Sequence, residues 1–498
     1  MATFKYAKGP VIYLYDAGDL KTKKKQILWG DWLRIGKSIN NKWSEIKWGK
    51  ETFAIKNEDC QEERLLEMIF LDVGQGDGCV LTTPLIGKRE KIMIIDAGVG
   101  ENMNGYLKYR FRDFKKKFNF HAAIITHPDS DHYYGFRKIF DNENISFKNV
   151  YHNGIMERTG KKLLGPVSKG FLTDIRASKT AVHNLYSDKN VRGKKKYPNL
   201  IWTALKSDRF DNVSMLSTDH GQKEAGSTWM PGFAPSNKLG LTIEVLGPIV
   251  EKTPNGKKGL RTFAQSMTAK SMDAGKTKNG HSVLLKLQYH DFSILFGGDL
   301  NTPAEHFLMR HYGNGGEAPT TKAETDAMIK TARQKFASDL MKCCHHGSAD
   351  VTDEFLEATE PLAFVVSSGD EESHVHPRPD LLGLLGKKGR GNRPLVLCTE
   401  ILRSSREKED QKLRKKEDKL IAEYKKETDS QKEKELAKAL SDVQDEIFKR
   451  NVNVYGAINV RTDGHKAIVA FRREKEKGTK RWFYYELEKD QNGEFQVK

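Results

Sequence analysis

Six consecutive residues, His127-Pro128-Asp129-Ser130-Asp131-His132, put two imidazoles and two carboxylates on one loop directly after the apolar run AAIIT. Crowding four such groups together is costly unless a cation neutralises them. Nitrogen and oxygen donors close a compact shell around zinc at about 2.0–2.2 Å, and the carboxylates also suit manganese. A polar surface turn is the plain alternative, but donors elsewhere in the chain weigh against it. Asp72 and Asp77 flank the tight turn Gly74-Gln75-Gly76, Asp96 ends the run KIMIID, and Asp299 follows FSILFGG. His345 and His346 sit in CCHHGS, and His376 sits in HVHP.

The elements around these groups predict a layered α+β protein. EMIFLDVGQGDGCVLTTP and KIMIIDAGVG are paired strands ending in glycines, and HAAIIT is a buried strand running into the donor loop. GFRKIFDNE reads as the helix leaving that loop, so strand, loop and helix follow in order. Domain boundaries are expected at 1–62 and 63–498. An irregular insertion is expected over 155–238, where apolar pieces are short and lie among KKKYPN, STDHGQKEAGS and MPGFAPSN. The segment 404–450, nearly all Glu, Lys, Asp, Gln, Ala and Leu, is predicted to form a charged helix or helical hairpin, interrupted near Thr428-Asp429-Ser430.

Composition bounds the rest. In 498 residues, 84 Lys plus Arg face 67 Asp plus Glu, a net charge of +17 that suits a polyanionic partner or a merely solvated surface. No apolar run approaches the roughly 18 residues of a membrane-spanning helix, and MATFKYAKGP is not a signal peptide. No membrane insertion is therefore expected. Five cysteines cannot all pair, which suggests reduced thiols and a cytoplasmic location. Cys343 and Cys344 have no second Cys/His pair at finger spacing, so a zinc finger is rejected.

As a set, these motifs resemble the ComEC-like branch of the metallo-β-lactamase-fold hydrolases. LDVGQGDG at 71–78, the H-x-D-x-D-H loop, Asn279-Gly280-His281-Ser282-Val283, FGGDL at 296–300, CCHHGS at 343–348 and GAINVRTDG at 456–464 follow in that branch's order. The resemblance implies an αββα metallo-β-lactamase sandwich. The stretch from Trp29 to Ile55, with its Gly-Asp-Trp, Lys-Trp-Ser and Trp-Gly punctuation, looks like a small SH3-like β barrel. The barrel or the charged helix could recruit a protein partner.

The resemblance further implies two divalent ions, zinc before manganese. His127 and Asp129 would hold one, Asp131 and His132 the other, with Asp299 bridging and His346 completing the second site, His345 being the alternative. Asp131, Asp299 and His376 are expected to act in catalysis, His376 by touching a phosphate or protonating a leaving group. Asp72, Asp77 and Asp96 would orient the ligands from behind. Ser348, Ser282 and His152 could contact substrate, although capping or a backbone bond serves equally well for each. A further ligand of the first ion would fall on His152 or His220. Asp129 stands where the usual motif carries a histidine, which makes that site harder.

The function these expectations favour is a phosphodiesterase or nuclease using a two-metal-activated hydroxide on DNA or RNA, with Arg192, Lys194, Lys195 and Lys196 guiding the polyanion. Two rivals stand beside it. One is a metallo-hydrolase of a small molecule such as a cyclic nucleotide, lipid phosphate, lactone or thioester. The other is a non-catalytic scaffold, against which the complete donor set argues. Antiphage defence or repair is a use such a nuclease could serve.

Overall fold

The structure, a computed structural model, describes residues 3–48, 51–111, 114–264, 271–369, 375–400, 407–424, 426–450, 456–473 and 478–498. His374 of the HVHP motif and the first residues of the charged insertion, 404–406, lie outside the described residues.

Two sheets face each other across the main apolar core. The ten-stranded sheet runs from Phe210–Met215 at one edge through Ile145–His152, Phe118–Ile124, Ile92–Ala97, Gly78–Thr82 and Leu66–Phe70 to four C-terminal strands within 458–498. The eight-stranded sheet ends in Leu284–Tyr289, Phe292–Phe296, Leu340–Lys342, Ala363–Val366 and Leu395–Cys398. Phe70, Ile95, Ile124 and Tyr151 of the first sheet pack on Ile243, Leu285, Phe296 and Val365 of the second. On the outer face of the first sheet, Ile94, Ala123 and Phe147 meet Met103, Phe136 and Ile201 from three helices. Leu295, Met341 and Phe364 of the second sheet meet Leu308, Phe336 and Leu356. The layer order is helix, sheet, sheet, helix. Burial on both faces explains why IMIIDA shows no polar alternation.

Strand direction puts the donor loops at one end. Ile92–Ala97, Phe118–Ile124 and Ile145–His152 are parallel, so Asp96 and the loop 127–132 leave the same edge. Gly78–Thr82 is antiparallel to Ile92–Ala97, and its start, next to Asp77, therefore lies at that edge too. In the second sheet Phe292–Phe296 and Leu340–Lys342 are parallel and release Asp299 and His345-His346.

The stretch 155–238 is not an irregular insertion. It supplies the edge strand Phe210–Met215 and the helix Lys196–Leu205, whose Tyr197, Ile201 and Ala204 are buried against the sheet. Pro198 in the helix's first turn and the lysines before it disguise the segment, although a first-turn proline costs no hydrogen bond. The charged insertion forms two helices, Glu407–Tyr424 and Ser430–Arg450, with Asp429 capping the second through Gln431 and Lys432 at 2.9 Å. It is not wholly exposed: Glu417 is buried, and a Cβ on Gly105 would strike the Arg414 guanidinium.

The N-terminal residues to Gln61 form a seven-stranded antiparallel sheet around Leu14, Ile27, Leu33, Ile46 and Ile55. Its Leu28 and Trp29 pack on Ile468 and Ala470. Buried Arg461 fastens the junction, donating to the Trp29 carbonyl at 2.6 Å and Asp31 at 2.8 Å while pairing with Glu67 at 3.0 Å.

Candidate metal centre

At the shared edge, Asp96 ends its strand with φ at 55°, a left-handed turn that points its carboxylate back at the donor loop. It accepts from the Thr126 N–H at 2.8 Å, the Thr126 hydroxyl at 2.6 Å and His132 Nδ1 at 2.8 Å. His132 Nδ1 is thereby the protonated nitrogen, and Nε2 presents its lone pair forward. Asp77 does the same for His346, accepting from Nδ1 at 3.0 Å, while the buried Lys342 ammonium neutralises its other oxygen. Gly76 lets the two loops touch: a Cβ there would come within 1.7 Å of the Asp131 carbonyl.

His345 and His346 both take left-handed conformations, φ 49° and 53°, directly before Gly347. Two consecutive non-glycine residues in this region are strained, by about 1–3 kcal/mol each. The turn swings His346 inward and leaves His345 at the rim, with its Nε2 4.0 Å from Asp299 Oδ2.

Three donors then meet. His132 Nε2, His346 Nε2 and Asp299 Oδ2 are mutually 3.1 Å apart, and all three side chains are buried. Asp131 Oδ2 lies 3.5 Å from His346 Nε2 and accepts from Gln75 at 3.3 Å. Two imidazole lone pairs at that separation repel unless something positive lies between them. With the protein groups alone, burial opposes charging of His132 and His346. Asp299 and Asp96 nevertheless raise the first well above the ordinary imidazole range, and Asp299, Asp77 and Asp131 raise the second. Burial likewise favours neutral Asp131 and Asp299, but the two imidazoles hold both carboxyls below their usual range. The residues fit a divalent ion: edges of 3.1 Å match about 2.8–3.6 Å between ligands in octahedral or tetrahedral shells with bonds of about 2.0–2.2 Å. Asp77 belongs to the same buried group, but its bond to Nδ1 makes it the orienting carboxylate.

The other half of the expected centre is built differently. His127 Nε2 is 3.5 Å from Asp129 Oδ2 and 3.9 Å from Asp299 Oδ2, and has no hydrogen-bond partner among the described residues. Its Nδ1 is held by hydroxyls, Thr126 at 3.2 Å and Ser282 at 3.3 Å. Asp129 faces the Lys278 ammonium through Oδ1, and with its amide turned to suit, Asn279 donates to Oδ2 at 2.7 Å. Lys278 also reaches Glu157 at 3.4 Å.

The remaining expectations are placed as follows. Asp72 caps its turn through the Gly74 N–H at 3.1 Å. Ser282 accepts the Asp299 N–H at 3.0 Å, so its hydroxyl serves the centre internally, while Ser348 accepts the Asp350 N–H at 3.2 Å. His152 Nδ1 accepts from Gly154 at 3.0 Å, and burial takes its pKa down to about 3. Its buried Nε2 has no hydrogen-bond partner among the described residues, whereas His220 bonds Ser217 through Nδ1 at 2.8 Å. His376 lies beside His345, ring centres 6.0 Å apart and tilted by 59°. Arg192 is no surface guide: it is buried, donates to the Tyr186 carbonyl and covers the Trp202 ring at 4.4 Å. Lys196 lies over the Tyr134 ring at 4.2 Å, and Lys194 and Lys195 stay at the surface. Sequence reading missed Lys342 and Lys278. For Lys342 the available signal was a charge inside the otherwise apolar run 340–344.

No protein-family model matches the chain, and no curated protein matches it. Among solved structures, a mutant of the CmlA beta-hydroxylase aligns over 78% of this chain and 74% of its own at 9% identity, with a TM-score of 0.29, too loose a superposition to bear on activity. Among the described residues, no helix is long and apolar enough to cross a membrane. A buried Asp/His group able to hold a metal ion stands on its own geometry.

Proposed function

We propose that this chain is a metal-dependent hydrolase of the metallo-β-lactamase fold that cleaves phosphodiester bonds in nucleic acid. The observation that carries the reading is the triangle of His132, His346 and Asp299, each edge 3.1 Å, with a carboxylate behind each imidazole. The order of the sequence motifs and the layer order of the fold support it. A divalent ion held there supplies Lewis acidity, lowering the pKa of bound water and neutralising charge on a phosphoryl oxygen.

The chain's own groups do the rest. Asp96 and Asp77 hold the Nδ1 proton of each ring, so that Nε2 is the ligating nitrogen and is aimed at the centre. Lys278 offers an ammonium to a non-bridging oxygen, and His345 and His376 stand at the rim to give a proton to the leaving oxygen. A thiol nucleophile is excluded by burial, which pushes the Cys343 and Cys344 thiols far above neutrality and Cys398 up to about 12. The net charge of +17 favours a polyanion over a neutral lactone or thioester.

The test is purified protein with zinc or manganese on single- and double-stranded DNA, RNA and cyclic dinucleotides. Cleavage of a polymer that chelator abolishes is the expected result. Turnover of cyclic dinucleotides alone hands the site to the small-molecule alternative, and no turnover of any ester under either metal overturns the reading.

A further inference from the structure

We propose that Lys278 takes the place of the first of the two ions, so that the centre binds one divalent cation beside a built-in ammonium. The proposal rests on the reading of the His132, His346 and Asp299 cluster as a metal centre, and narrows it.

The donors on the two sides are unequal. A catalytic zinc site carries three protein ligands and an open position. His132, His346 and Asp299 meet that count with Asp131 in reserve. On the other side Asp129 is already engaged through both oxygens, by Lys278 and by Asn279. What remains is His127 Nε2 and, 3.9 Å from it, the Asp299 oxygen that the ion on the His132 side already claims. Two donors, one of them shared, fall short of a site.

Lys278 is not a passing surface lysine. Its side chain is only 13% exposed and lies between Asp129 and Glu157, the latter itself 10% exposed. Its helix, Ala274–Gly280, is pinned through the residues just before it. Asp273 caps Lys276 at 2.8 Å, and buried Thr277 accepts the Phe263 N–H at 3.0 Å and donates to the Phe263 carbonyl at 3.2 Å. Asn301, two residues after Asp299, donates to the Lys276 carbonyl at 3.0 Å. The ammonium is therefore fixed relative to the donor triangle by packed backbone. A dication seated on Asp129 would face that ammonium across one carboxylate, where like charges repel. An ammonium is a compact point charge with three donors, well suited to a phosphoryl oxygen. It does the neutralising part of an ion's work without water activation.

The experiment is metal content of the full chain after loading with zinc or manganese and removal of excess, with the EPR spectrum of the manganese form. Wild type should hold one ion per chain and give the spectrum of an isolated ion. Lys278→Met should hold two, with exchange coupling between them, and Asp129→Asn should still hold one. Two coupled ions in wild type overturn the inference and leave the hydrolase reading intact. No ion in wild type overturns the metal centre and the inference together. One ion in both wild type and a folded Lys278→Met shows that Lys278 excludes nothing, which also overturns it. If Lys278→Met does not fold, the wild-type stoichiometry and spectrum alone decide.

Discussion

The two histidines of the donor loop, five residues apart, live in opposite surroundings. His132 is backed by a carboxylate that accepts a hydrogen bond from its Nδ1–H, and His346 across the gap is backed in the same way. His127 is backed only by two hydroxyls: Thr126, whose one O–H goes to Asp96, can only accept, while Ser282 can accept or donate and so leaves the tautomer open. A carboxylate behind an imidazole fixes the ring, the tautomer and the basicity of the forward nitrogen together. Binding strength is thus concentrated on the His132 side, and the His127 side is left for a lysine and for substrate.

Four measurements would break or sharpen that contrast. The largest effect belongs to Asp299→Asn, which removes the carboxylate charge at the vertex of the triangle. Metal should be lost on simple dialysis and ester hydrolysis should fall to background, whereas His127→Ala should retain the ion. Equal loss in the two variants would erase the asymmetry.

Asp77→Asn comes next. It weakens the backing of His346 and leaves Lys342 buried beside a neutral amide. Metal affinity should drop roughly 10–100-fold, and stability by about 3–5 kcal/mol in urea denaturation. Adding Lys342→Met should recover much of the stability and little of the affinity, a separation a double-mutant cycle reads directly.

The third is pH. In chelator-treated protein, His132 and His346 are raised in the fold, burial opposing and Asp299 outweighing it. The folded state therefore holds more protons than the unfolded one above about pH 6.5. Stability from this pair is complete below that pH and is lost as pH rises towards the folded values. Each tenfold change in proton affinity is worth about 1.4 kcal/mol. Metal-loaded protein should show the reverse, since ligation needs both nitrogens deprotonated and weakens as pH falls. Thermal melting from pH 6 to 9 with and without EDTA should give opposite slopes; parallel slopes would count against the cluster as a metal centre.

The smallest effect belongs to Ser282→Ala, which removes the acceptor for the Asp299 N–H and one hydroxyl beside His127. About 1–3 kcal/mol of stability should go, with metal content unchanged. Loss of the ion would mean that Ser282 orients the triangle after all.

Much of this centre was legible in the sequence because its groups are expensive to bury and so betray each other. The loop 127–132, Asp299 and His346 lie far apart in the chain yet each comes after an apolar run, and the structure gathers them at one edge. Lys342 and Lys278 were not legible, since a lysine ordinarily reads as solvated surface and only the carboxylate it meets tells otherwise. Arg192 was misread for the complementary reason: a guanidinium in a basic run looks exposed until an aromatic ring covers it. The strand Phe210–Met215 was hidden because six residues at a sheet edge carry too little periodicity to outvote the polar loops around them.

One pairing bears on how the molecule is made. Ile458–Thr462 lies antiparallel against Leu66–Phe70, with Ile458 opposite Phe70, near the middle of the ten-stranded sheet. On a ribosome, Leu66–Phe70 waits as an open edge until nearly four hundred further residues have been translated. During that time its unpaired backbone groups can template pairing with another chain. The loop after this strand carries Asp77, so the carboxylate that aims His346 hangs from a strand whose second neighbour is made late. A chain that stops at Arg450 lacks that neighbour and should aggregate through the open edge instead of loading an ion.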